Sequence, residues 1–410
     1  MRVICNGVLT AAILLSTALN ANPMVNNHQS VAKAESPNVQ QFTKGDDISV
    51  TLGHEISFES AVLNEQRKII IHLPEGYYTS KESYPVLYLL DGKRHLQHAV
   101  TAKGILAGQG LMPESIIVAV TNNSGTRGRD LGRENGAFLK FIKQEVIAYI
   151  DQQYRTSPFR TLFGHSMAGA FSLNVLATDP KLFNQYIAAS PFLQVNNYQT
   201  LANVKALLAK ETKLEQSLYF TLTDRLAEGD EATDALAQLT TMIEQESPSM
   251  HWRYEFIQNQ IHMTTPFLTL YAGLAFVNQD YRAPTFDSLT EFNNASAMKS
   301  LTAHYQQRAL KYGGSTEVPE RVVRRLAFSF MRDEPKQAIA LFAENAKRHP
   351  ESPGALFGLG RGYENNDESV KAMQAYKDAL ALAKQQSADS VNFLERQVKR
   401  YQRVMTEKSN

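Results

Sequence analysis

One cysteine, Cys5, is the chain's whole supply of thiol, and it lies within an apolar segment near the N-terminus. Everything downstream is therefore without a disulfide, a thiolate metal site or a cysteine nucleophile. An excess of either charge is also missing. With 42 Lys and Arg against 41 Asp and Glu the formal net charge is +1, which gives no reason to expect nucleic acid or an anionic membrane as a partner. Long hydrophobic runs are absent too: "VLTAAILLSTAL" is too short to span a bilayer comfortably, and no later segment approaches about 20 apolar residues. Stable membrane insertion is not expected.

What the N-terminus does have is the pattern of a secretory signal. Arg2 is followed by that apolar run, at h-region length, and then by the small residue Ala21 ahead of Pro23. Residues 1–21 are expected to be a signal peptide removed on export, with the polar, aperiodic residues 22–47 as a flexible leader. That places the protein in the periplasm or outside the cell. From there the chain reads as globular, since hydrophobic residues make up 43% of it and charged residues 20%.

Between residues 48 and 282 strand and helix patterns alternate. "KIIIHLP", "YPVLYLLDG", "SIIVAVTN", "RTLFGHS", "YIAASPF", "SLYFTLTD" and "WRYEFIQ" are short runs rich in β-branched and aromatic residues. Between the third and fourth, Phe138, Phe141, Ile142, Val146, Tyr149 and Ile150 recur at helical spacing. Continuously apolar strands separated by helices predict an α/β domain whose mostly parallel sheet is covered on both faces. Residues 283–318 are expected to be a helical connector, closed by Gly313 and Gly314, with Pro319 opening the next helix. Residues 319–405 then repeat: Ala338 and Ala372 stand 34 residues apart, as do Phe342 and Tyr376. The second copy fills the slots of a tetratricopeptide repeat with Leu356, Leu359, Gly360, Tyr363, Ala372, Tyr376 and Ala379, predicting an all-α C-terminal region capped by a last helix.

The chemistry centres on "GHSMA", residues 164–168. A serine between a strand and a helix, with small residues two before and two after, suits the sharp turn of a nucleophile elbow; here Gly164 meets the pattern and Ala168 stands where glycine is usual. The alternative is a serine that caps the helix through its hydroxyl. Chain order tests the first reading, since an acid and then a histidine must follow, each on a loop after a strand. Of the four histidines beyond Ser166, His304 and His349 fall in helical regions and His251 comes before the strand "WRYEFIQ". His262 remains, just after that strand, as the general base. For the acid, Glu228 is favoured and Asp224 is second, both beyond "SLYFTLT". The backbone N–H groups of Met167 and Lys93 are the candidate oxyanion donors.

Together "YPVLYLLDG", "RGRDL", "FLKFIKQEVIAYIDQQYRTSPFRTLFGHSMAGAFSL", "AASPFL" and "IHMTTPFLTLYAGLAF" resemble the esterase D-like family of α/β-hydrolases. That family includes S-formylglutathione hydrolases, trilactone siderophore esterases, feruloyl esterases and mycolyltransferases. The resemblance implies an α/β-hydrolase fold, Ser166 as nucleophile, His262 as base, Lys93 and Met167 as oxyanion donors, and a small-molecule ester as substrate, cleaved by water or passed to an alcohol. It implies no cofactor, and between Asp224 and Glu231 it gives no clean match for the acid. Another reading makes the hydrolase fold inactive and the repeats a scaffold for a protein partner or for self-association. Arg127, Arg129 and Asp130 read as internal ion pairs rather than a substrate clamp. His95 and His98 lack a convincing third ligand, so no metal is expected. "GLGRGYE" lies in a helical repeat and is not a phosphate loop.

Overall fold

The computed structural model describes residues 49–410 apart from 212, 247–248, 287, 289–290, 293–295 and 410. The signal peptide and leader read from residues 1–47 lie outside the described residues. Eight strands form one sheet: β1 His54–Ser60, β2 Glu65–His72, β3 Tyr84–Leu89, β4 Ile116–Val120, β5 Thr156–His165, β6 Gln185–Ala189, β7 Ser217–Leu222 and β8 His251–Phe256. Their order across the sheet is β1-β2-β4-β3-β5-β6-β7-β8. A tight connection, with Asn64 at φ 53°, returns the chain from β1 to β2 in antiparallel register. β2 also runs antiparallel to β4, and every pair from β4 across to β8 is parallel.

β3, β4 and β6 are buried at every residue, because helices cover both faces and neither set of alternating side chains can be polar. Val86 and Tyr88 of β3 point into one core and Leu87 and Leu89 into the other. The second core is closed by α1 (Gly92–Gly108) and α8 (Thr265–Val277). The first is closed by α2 (Asn135–Phe141), α3 (Ile147–Gln153), α4 (Met167–Thr178), α5 (Gln199–Lys210) and α7 (Asp230–Glu246), while α6 (Arg225–Glu228) is a single exposed turn. The helical spacing from Phe138 to Ile150 is observed as α2 and α3 joined through a π turn, Ile142–Val146, with Phe138, Phe141, Ile142, Val146 and Ile150 buried.

Among the described residues the helices α9 Ala297–Tyr312, α10 Glu320–Phe330, α11 Pro335–Arg348, α12 Pro353–Asn365, α13 Ser369–Gln385 and α14 Val391–Ser409 follow. Ala338, Phe342, Ala372, Tyr376 and Ala379 are fully buried. A Cβ on Gly360 would come within 2.8 Å of the Tyr376 ring, and one on Gly358 or Gly362 within 2.9 Å of Phe342. Small residues thus let large ones seat between helices. Tyr401 of α14 packs on Tyr376, closing the far end. Among the described residues no helix is long and apolar enough to cross a membrane.

The helices meet the sheet domain at the end of α9. The Tyr312 ring lies 4.5 Å from that of Phe159, and its hydroxyl donates to Asp280 at 2.7 Å. Gly313 then turns the chain at φ 81°, where a Cβ would fall 2.6 Å from the Ser83 carbonyl oxygen. Gly313→Ala should therefore cost about 2 kcal/mol or more, read as a lowered urea midpoint. Unchanged stability would remove the joint from the account.

Candidate active site

In the sheet order, β3 lies between β4 and β5, and the helices that follow β3 and β5 cover opposite faces. This leaves a crevice at the carboxyl ends of the two strands, the topological switch point where open α/β sheets bind ligands. Ser166 sits there, between β5 and α4, at φ 61° and ψ −121°, a region that L side chains disfavour. Its conformation is held from three sides. The Ser166 N–H donates to the Ala189 carbonyl at 2.9 Å, while its own carbonyl accepts from the N–H groups of Phe192 at 2.9 Å and Ala170 at 3.0 Å. The hydroxyl makes no capping bond to α4, so the strain does not serve the helix end.

Crowding explains the glycine before it. A Cβ on Gly164 would lie 2.1 Å from the Ala168 carbonyl oxygen, so only glycine fits there. The methyl of Ala168 is buried without needing such an approach. The second tight spot is one residue later, where a Cβ on Gly169 would be 3.1 Å from the Ala189 carbonyl oxygen.

His262 lies on the loop between β8 and α8, and its Nδ1 is 2.6 Å from Oε2 of Glu228. The Glu228 side chain is only 3% exposed, and its other oxygen accepts from the Ser190 hydroxyl at 2.6 Å. Burial pushes the Glu228 carboxyl up, but the bonds from His262 and Ser190 outweigh it and hold the group below its ordinary value. Asp224 goes elsewhere: it accepts from the Asn259 N–H at 3.2 Å and ties the two loops together. Of the two carboxylates weighed from the sequence, Glu228 faces the imidazole. Among the other histidines after Ser166, His304 is on α9, His349 ends α11, and His251 is the first residue of β8 rather than a residue before it.

The contact between the serine turn and the loop of His262 runs through His165, the residue before Ser166. The His165 Nε2 lies 2.8 Å from the His262 carbonyl oxygen and must donate to it, and the two rings stand 4.7 Å apart. Burial pushes His165 down to about 4, so it is neutral near pH 7 with its proton on Nε2. His165 and Ser190 are contacts that spacing alone did not single out.

Lys93 and Met167 stand in the first turns of α1 and α4, where backbone N–H groups lack intrahelical acceptors. The Leu90 N–H donates to the Phe163 carbonyl at 3.0 Å, binding the two turns side by side. Asp91, at φ 52°, is gripped by two nitrogens of Arg127 at 2.7 and 2.8 Å and by Asn122. Arg129 pairs with Asp130 at 2.6 Å and Glu65 at 2.7 Å, and Asp130 also with buried Arg67 at 2.8 Å. These charges are internal, as their sequence suggested.

Beside His262 a cavity of about 510 Å³ is lined by Arg94, His95, His98, Gln260, Met263 and Phe267 among others. Both ring nitrogens of His95 are buried without a hydrogen bond, and burial, with His98 and His165 nearby, pushes it down to about 2. Among the described residues no group of three or more His, Cys, Asp or Glu could hold a metal.

The chain belongs to the family described as "Putative esterase", whose match covers residues 60–266, just over half of its length. It is 34% identical over 145 residues to ferri-bacillibactin esterase BesA of Bacillus subtilis, covering 28% of this chain and 49% of that protein. It is 39% identical over 75 residues to a siderophore enterobactin esterase of Emericella nidulans, covering 18% of this chain and 25% of that one. The chain thus spans half or less of the length of these two relatives. An IroE-like serine hydrolase from Shewanella oneidensis shares the α/β-hydrolase fold, with a TM-score of 0.58 at 20% identity over 76% of this chain and 99% of that one.

The depressed His95 sets a pH dependence. The unfolded chain binds a proton there below about pH 6.5, whereas the folded chain does not until about pH 2, so stability falls as pH drops through that window. His95→Leu should lessen the loss by about 2 kcal/mol at pH 5 and change little at pH 8, measured by urea unfolding at both. A variant with the same slope as the parent protein would contradict this.

Proposed function

We propose that the protein is a serine carboxylic-ester hydrolase working through an acyl-enzyme on Ser166. The observation that carries the reading is the 2.6 Å bond between Glu228 and Nδ1 of His262 beside the strained serine turn. With Nδ1–H committed to the carboxylate, the lone pair of Nε2 is the basic one. It takes the Ser166 proton as Oγ adds to the ester carbonyl, and Glu228 stabilises the imidazolium that forms. The developing oxyanion falls to the N–H groups of Met167 and Lys93, at two adjacent helix N-termini. The tetrahedral intermediate expels the alcohol, protonated by His262; water then attacks the acyl-enzyme with His262 again as base.

The substrate class is read as the ester bonds of a siderophore, supported by the two relatives named for bacillibactin and enterobactin. The cavity with Arg94 and the histidines suits a polar acyl or alcohol portion. Signal-peptide removal and a periplasmic or secreted location accompany this reading. Residues 319–405 are read as two tetratricopeptide-like pairs and a cap that brace the catalytic domain or dock a partner.

Ser166→Ala should remove turnover of p-nitrophenyl acetate and of a trilactone siderophore by on the order of a millionfold, with circular dichroism unchanged. Undiminished hydrolysis would overturn the nucleophile. Glu228→Gln should cut kcat by on the order of 10⁴, as expected when the orienting acid of a triad is lost. For substrate, kcat/KM on the trilactone should exceed that on p-nitrophenyl acetate, and the reverse order would discard the siderophore reading while leaving the esterase one intact.

A further inference from the structure

At the opposite end of α1 from Lys93, about 25 Å away for a helix of this length, a cavity of about 570 Å³ opens between Gln109–Leu111, the segment 282–285, α9 and α10. Four arginines line it: Arg282, Arg308, Arg321 and Arg325. In a chain whose net charge is +1, none of the four has an ion pair with a carboxylate among the described residues, although Arg67, Arg127, Arg129, Arg160, Arg225, Arg324 and Arg400 all do. Among the described residues, two neighbouring carboxylates are committed elsewhere. Glu114 holds Lys103 at 2.8 Å, and Asp280 accepts from Lys311 at 2.6 Å and Tyr312 at 2.7 Å.

The cationic groups are also prepared. The guanidinium carbon of Arg308 lies 4.1 Å from the centroid of the Tyr281 ring and 4.0 Å from that of Tyr305. Cation–π contact with two rings restrains this side chain at the cavity wall. Gly110, at φ 70°, ends α1 close to Arg321, whose Nη2 is 3.8 Å from where a Cβ would be. Gathering like charges without a counter-charge works against the folded state, and guanidiniums converging on one concavity match the oxygens of a phosphate bidentately. Leu111, Pro284 and Leu326 supply an apolar wall in the same cavity.

We propose that this cavity binds a small organic phosphate, its phosphoryl oxygens on the arginines and its apolar body against Leu111, Pro284 and Leu326. The site is separate from the ester-cleaving crevice, and ligand bound there bridges α1 of the sheet domain to α9 and α10. It does not depend on the chain being an esterase.

The test titrates phenyl phosphate and inorganic phosphate into the full chain at constant ionic strength, by calorimetry. Phenyl phosphate should bind saturably at one site with a Kd below about 1 mM, and inorganic phosphate about tenfold more weakly for want of the apolar body. Arg321→Gln/Arg325→Gln should weaken phenyl phosphate at least tenfold, and Arg321→Lys/Arg325→Lys should restore it only in part, since lysine keeps the charge but not the fork. Ser166→Ala should bind as the parent chain does. Without ligand, the Gln double variant should melt at the same temperature or higher, because repulsion is relieved. Absence of saturable binding up to about 10 mM, or equal binding by the Gln variant, would overturn the proposal. So would a lower melting temperature of that ligand-free variant, which would make the arginines structural.

Discussion

A carboxylate almost wholly removed from water has to find donors, and Glu228 finds two, the imidazole of His262 and the hydroxyl of Ser190. Leaving either oxygen unpaired at that depth would cost several kcal/mol. The bond therefore does two things at once. It holds Glu228 below its ordinary value, and it ties the loop after β8 to the turn after β7 and, through Ser190, to the end of β6. Ser190 itself sits at φ 40° immediately after β6, so the strained end of one strand positions the carboxylate that holds the imidazole. His165 secures the same loop from the other side through the His262 carbonyl.

The serine turn depends on a second constraint of a steric kind. Three backbone bonds and the fit of Gly164 against the Ala168 carbonyl hold Ser166 where an ordinary loop would relax. Because β3 and β5 are neighbours whose helices leave on opposite faces, the same geometry sets the N-termini of α1 and α4 side by side. A strained serine turn beside two helix N-termini is thus a consequence of sheet order, and Asp91 with Arg127 braces the α1 turn with an ion pair.

Much of this was legible in the sequence. β3, β4 and β6 are buried on both faces, so their continuous apolar runs stood out, and the helix after Ser166 began and ended where its composition changed. β1 was not read as a strand, since it lies at the sheet edge with half-exposed, alternating residues. The π turn between α2 and α3 left no mark, because the apolar spacing runs through it nearly unbroken. Elimination along the chain led to His262, but the choice between Glu228 and Asp224 rested on how a four-residue turn points its last side chain, which no spacing encodes. The histidines at 95 and 165 were hidden for the same reason: their meaning comes from neighbours remote in sequence.

The account stands on the hydroxyl at 166 being the group that attacks, and that can be observed without a substrate. Intact-mass spectrometry after treatment with a fluorophosphonate should show a single adduct, which peptide mapping places on Ser166. Addition to a different residue, or none at full occupancy of reagent, would contradict it.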